Sequence, residues 1–169
     1  IFISTYTCHP SMANNELSGP VLATFLAKWL TARDNFYSYR FVFAPETIGP
    51  LVYLSQSHKF LKKKTIAAFN LTCVGDDRVV SFLPSRKGNT LTDRVARHVL
   101  NHEVPDYIEY NFMGDRGSDE RQYCSPGVNL PMVSIMRSRY GSFSEYHTSL
   151  DNLSIVSPEG LQKSFDLHK

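Results

Sequence analysis

The sequence carries almost no net charge. Its 18 lysines and arginines against 16 aspartates and glutamates leave +2 over 169 residues. That balance makes no strong electrostatic bid for nucleic acid. No apolar run approaches the roughly 20 residues that span a bilayer, which excludes a helical membrane protein. Cysteine is scarce. Cys8, Cys73 and Cys124 are odd in number and form no CxxC, so neither a disulfide scaffold nor a zinc knuckle fits. A reducing, cytoplasmic setting is the resulting expectation. Internal repeats, low-complexity tracts and interdomain linkers are absent as well.

What is present is enough apolar material for one domain. Hydrophobic residues make up 42% and charged residues 20%, a composition unlike that of disordered chains. The first residues, Ile1-Phe2-Ile3, are already apolar, and Leu161 to Leu167 still follow a helical pattern. The expectation is a single domain over 1–169, incomplete at both ends.

Strands are predicted at 1–6, 39–44, 65–72, 79–83 (as an edge), 107–111 and 131–136, where β-branched and aromatic residues cluster. Ser18 caps a first helix with Pro20 in its first turn. Its expected inner face is Val21, Leu22, Phe25, Leu26, Trp29 and Leu30. Pro50 begins a short helix to about Ser57. A helix over 90–102 is expected to turn Leu91, Val95, Val99 and Leu100 inward. Residues 119–124 read as a polar connection, 137–152 as a long loop, and Pro158 opens a last helix. This alternation predicts an α/β fold with a mixed, mainly parallel central sheet of about six strands flanked by helices.

Sites in such sheets form at the carboxyl ends of the strands. Four polar clusters follow strands here: Cys8-His9-Pro10 with Asn14-Asn15-Glu16, Pro45 to Gly49, Thr72 to Asp77, and Glu145 to Ser149. Of the six histidines, His58, His98, His102 and His168 read as solvated surface residues. His9 and His147 sit in loops and are candidate metal ligands, although 138 residues separate them and a hydrogen-bonded loop histidine is the plainer reading. Glu46, at a strand end, suits either a general base or a favourable charge on the helix that Pro50 begins.

The blocks STYTCHPSMANNELSGP, FAPETIGP, LTCVGDD, GSDERQYCSPGVNLP and EYHTSLDN together resemble a bacterial aminopeptidase-like family of the zinc aminopeptidase superfamily, the family twenty-eight metallopeptidases. The resemblance runs in order over nearly the whole chain. It implies a zinc-dependent hydrolase of amide or peptide bonds, acting on a small peptide or aminoacyl-type substrate. It also implies larger relatives with a winged-helix domain, near surface-polysaccharide pathways. Position by position, His9 matches the first zinc-ligating histidine, Asn15 the bridging aspartate, Glu46 the catalytic glutamate, Thr47 the ligand glutamate after it, Thr72 the second aspartate and His147 the late histidine. Asp119 and Glu120 fall where the superfamily has an acidic residue near the site.

Three of those ligand positions carry neutral side chains, so the resemblance implies one zinc ion rather than two. His9, His147 and the Asn15 carbonyl oxygen are its expected ligands, with Glu16 one residue away as a carboxylate source. Glu120, Arg121, Tyr123 and Arg137 are candidate substrate-binding residues. A non-catalytic binding module of the same fold is the alternative, favoured by the lost ligands. A single-zinc cyclising acyltransferase like the glutaminyl cyclases fits less well, because those keep acidic ligands at the positions of Asn15 and Thr47.

Overall fold

A computed structural model describes all 169 residues. Six strands form one sheet: β1 (Phe2–Tyr6), β2 (Arg40–Ala44), β3 (Ala68–Leu71), β4 (Ser81–Leu83), β5 (Ile108–Glu109) and β6 (Met132–Met136). Their order is β2-β1-β3-β6-β4-β5. The first four in that order are parallel, β4 runs antiparallel to β6, and β5 is parallel to β4. The expected fold class is therefore the observed one. β4 is not an edge: it lies between β6 and β5.

Six helices complete the chain: α1 (Ser18–Thr31), α2 (Ile48–Lys64), α3 (Leu91–Glu103), α4 (Phe112–Asp115), α5 (Glu120–Tyr123) and α6 (Pro158–His168). Side chains of one strand alternate between two cores, as the pleat requires. Phe2 packs with Leu54, Leu61, Tyr123 and Met132 on the α2 side. Its neighbour Ile3 packs with Leu22, Leu26 and Leu71 on the α1 side. A side chain at Gly19 would collide with the Leu71 carbonyl and the Thr5 hydroxyl. Glycine there lets the start of α1 rest directly on the strand ends.

Four expectations fail for identifiable reasons. α2 continues to Lys64 because its lysine-rich end is solvated while Leu54 and Leu61 remain anchored in the core. The inner face of α3 is Thr92, Asp93, Ala96 and Leu100, whereas Leu91 and Val95 are 46% and 49% exposed. Asp93 turns inward because it closes a capping box with Thr90 and accepts two hydrogen bonds from Ser85. α1 is rotated similarly: Ala23 is buried, and Val21 and Phe25 face outward. Residues 119–124 are not a polar connection but α5, with Glu120 and Tyr123 buried.

Candidate metal centre

β1, β2, β3 and β6 deliver their carboxyl ends to one rim, with Tyr6 beside Ala44 and Thr5 beside Leu71. The chain leaves β1 at Tyr6, passes Cys8 and His9, and enters a wide helical turn over Ala13–Leu17 that runs straight into α1. Asp151, fully buried, fastens that turn. Its carboxylate accepts the backbone N–H groups of Asn14 and Asn15 at 2.7 and 3.0 Å, and its carbonyl accepts that of Ala13 at 3.0 Å. Because Asp151 belongs to the loop that carries His147, the same bonds bring that loop over β1. The His9 and His147 rings lie 4.8 Å apart, centroid to centroid. His147 adopts φ +57°, and the Tyr146 ring stacks on it at 3.9 Å.

Glu16 is the carboxylate at this point. Buried at the end of the wide turn, it lies 2.8 Å from His9 Nδ1, and it accepts the Cys8 backbone N–H at 2.8 Å. The Cys8 thiol stands 3.2 Å from both Glu16 Oε1 and His9 Nδ1. Donor atoms of Cys8, His9 and Glu16 all fall within 4.8 Å of one another. Partial burial, with the Glu16 carboxylate adding to it, pushes the Cys8 thiol up to about 12.

Asn15 does a different job from the one expected of it. It is buried, and its Nδ2 donates to Glu16 Oε1 at 2.9 Å. Its Oδ1 lies 3.5 Å from the Tyr6 hydroxyl, which is itself bonded to Thr72. The amide therefore orients Glu16 from below. Thr72, buried and bonded to Tyr6 and the Asn15 carbonyl, belongs to the same support.

Glu46 lies on the second loop of the rim, half-buried. Burial raises its carboxyl above the ordinary range; a Ser118 hydrogen bond opposes the rise, and the nearby Glu16 charge adds to it. The next residue, Thr47, has φ +62°, and its N–H donates to Asp119 Oδ1 at 2.8 Å. Asp119 is buried and its Oδ2 has no partner. Burial, opposed by the Thr47 N–H and helped by the Glu46 charge, raises it to about 7. Arg121 is exposed beside this turn and donates to the Thr47 hydroxyl at 3.3 Å.

Three expected substrate contacts are corrected. Glu120 is 1% exposed, and its carboxylate is taken up by Asn70, Tyr140 and the backbone of Gly117 and Ser118. Tyr123 is 0% exposed, edge-on to Phe2 at 5.0 Å and bonded to Ser4. Arg137 is also buried and donates to the Asp76 carbonyl at 2.7 Å. Only Arg121 of the four remains free to reach a molecule in the cleft. His168 is half-buried rather than fully solvated. Burial lowers it to about 4, and it packs edge-on to Phe69. Sequence reasoning placed Asp119 near the site through the resemblance but assigned no role to Tyr146 or Asp151, whose parts depend on contacts across the rim.

The donor set suits one zinc ion: two imidazoles, a carboxylate and a thiol are ordinary ligands in a small space. It does not suit two, since Asn15, Thr47 and Thr72 supply no bridging charge.

Known proteins agree with this fold. A Clostridium acetobutylicum protein, named provisionally for polysaccharide biosynthesis and an aminopeptidase-like domain, is 46% identical over 165 residues, 98% of this chain and 37% of its own length. A crystal structure from the same organism, provisionally named a peptidase, superposes with a TM-score of 0.93 at 44% identity, covering 99% of this chain and 39% of that one. The aminopeptidase of Aneurinibacillus sp. strain AM-1 gives 0.82 at 18% identity, covering 98% of this chain and 41% of that one. The Bacillus subtilis zinc aminopeptidase BSAP gives 0.79 at 18% identity, covering 99% and 43%. The chain thus spans about two fifths of the length of these proteins. It has the aminopeptidase-like fold, and, matched over residues 1–169, it belongs to the family described as a domain of unknown function, DUF4910.

Proposed function

We propose that this domain is a single-metal hydrolase of the aminopeptidase type, cleaving an amide or peptide bond in a small peptide or aminoacyl-type substrate. One observation carries the reading: His9 and His147, far apart in sequence, stand with rings 4.8 Å apart beside the buried Glu16. His9, Glu16 and His147 would hold a zinc ion, with the Cys8 thiol beside them. Bound there, zinc supplies Lewis acidity toward a carbonyl and lowers the pKa of water. Tyr146 holds the His147 ring by stacking. Asn15 holds the Glu16 carboxylate toward His9.

Glu46 is the proton carrier. Its partly buried carboxyl, raised above the ordinary glutamate range, is a stronger base than an ordinary glutamate and takes a proton at Oε more readily. Arg121 at the Thr47 turn offers a positive contact to an anionic end of the substrate.

Metal content and turnover test the reading. Purified protein should bind one zinc and hydrolyse aminoacyl amides. Glu46→Gln should retain the metal and lose at least about 100-fold in kcat, the usual scale for a general base. Unchanged turnover in that variant overturns the assignment of Glu46. Metal binding without any turnover favours the second reading, a non-catalytic module serving polysaccharide biosynthesis. The neutral side chains at 15, 47 and 72 speak for that alternative, and the retained Glu46 speaks against it.

A further inference from the structure

Arg137 has no role in the histidine cleft, yet its position is unusual for an arginine. It is 4% exposed. Its Nε donates to the Asp76 carbonyl, while its two terminal nitrogens make no hydrogen bond. The nearby Asp76 carboxylate is already taken up by Asn14, Ser138 and the Arg78 backbone. A guanidinium has five donors, and those at the two terminal nitrogens are not sealed in the core, so they remain free for an acceptor.

Arg137 lines a cavity of about 490 Å³ between α6, the end of α3 and the start of β4. Neither His9, Glu46 nor His147 lines it. Its free charges are segregated. On the α6 wall, Lys163 is exposed and makes no ion pair. A third cation, Arg78, is committed to a bidentate pair with Glu145 at 2.7 and 3.0 Å. On the α3 side, Glu103 ends the helix and Asp106 follows it, both without cationic partners, and the carbonyl end of the helix adds to their negative field. Asp166 is held by Lys169 and Gln162.

A phosphate dianion would meet the carboxylates of the α3 wall. A molecule bearing one charge of each sign would not. We propose that this cavity binds a small amino-acid-type zwitterion, its carboxylate on Arg137 and Lys163 and its ammonium toward Glu103 and Asp106. The volume is within the usual range for small-molecule sites. The inference is independent of the reading of the histidine cleft.

The test is amide-resolved NMR titration of the metal-free 169-residue protein. The zwitterions L-alanine and 6-aminohexanoate span short and long charge separations. L-alaninamide and N-acetyl-L-alanine each lack one charge. At least one zwitterion should saturate shifts at Arg137, Lys163 and residues 103–106, and the single-charge analogues should bind at least about tenfold more weakly. Lys163→Gln and Glu103→Gln, both at exposed positions that leave the fold intact, should each weaken binding severalfold. Arg137→Gln should abolish it. No shift at these residues with either zwitterion overturns the proposal. So do equal binding of the analogues, tighter binding of inorganic phosphate, and indifference to both exposed substitutions.

Discussion

Asp119 shows how one buried side chain can set both geometry and pH response. One oxygen accepts the Thr47 N–H and fixes the left-handed turn after Glu46; the other has no partner. Its carboxyl is raised from the ordinary 3.8 to about 7. The folded protein therefore binds this proton more tightly than the unfolded chain does. Its contribution to stability is full below pH 3.8 and is lost as pH rises through about 7. Asp119→Asn keeps the acceptor for Thr47 and removes the titration. It should flatten the fall in stability between pH 4 and 7, with a gain at pH 8 of up to about 4 kcal/mol. Denaturant unfolding of both proteins at several pH values measures this. An unchanged slope would show that the Asp119 carboxyl is solvated in solution.

At the scale of elements, the sheet was legible in the sequence and the helix faces were not. Runs such as Phe2–Tyr6 and Met132–Met136 are buried throughout, and their β-branched, aromatic and other apolar residues mark them as strands despite the buried Ser4, Thr5 and Ser134. α3 misleads because a buried polar residue with its partners displaces a leucine and a valine from the inner face. Loop position marked His9 and His147 as candidate ligands, but only the resemblance paired them firmly, since no local spacing joins residue 9 to residue 147. The physical link is Asp151, which ties the wide turn before α1 to the loop of His147. Asp151→Ala strands two buried N–H groups and should cost about 3 kcal/mol. It should also weaken zinc binding at least about tenfold, because the two histidines are no longer held together. Calorimetry and zinc titration measure the two effects. A variant that unfolds earlier yet binds zinc normally would show that Asp151 supports the fold without positioning the site.

The whole molecule bears on how many ions the rim holds. Four loops meet there, and their carboxylates are unevenly placed: Glu16 faces His9, Glu46 stands off as a half-buried acid, and Asp119 points its free oxygen into the interior. Two divalent ions a few ångströms apart repel strongly unless anionic oxygens lie between them. Asn15 and Thr72 are instead bonded to each other's surroundings through Tyr6. One ion can draw on His9, Glu16 and His147 together and so tie the β1 loop to the loop after β6. Ligand binding to the folded state alone raises stability by about 2.7 kcal/mol at one hundred times Kd. The midpoint of thermal unfolding should therefore climb with the logarithm of free zinc, and a calorimetric titration should break at one equivalent per chain. Asn15→Asp brings a charged oxygen next to Glu16. It should lower the midpoint without metal, through like-charge repulsion, and raise zinc affinity when metal is present. Two zinc ions bound tightly by the unmodified chain would mean that ligands outside His9, Glu16 and His147 complete a second site. Weaker zinc binding in Asn15→Asp would mean that the amide's hold on Glu16 matters more than the added charge.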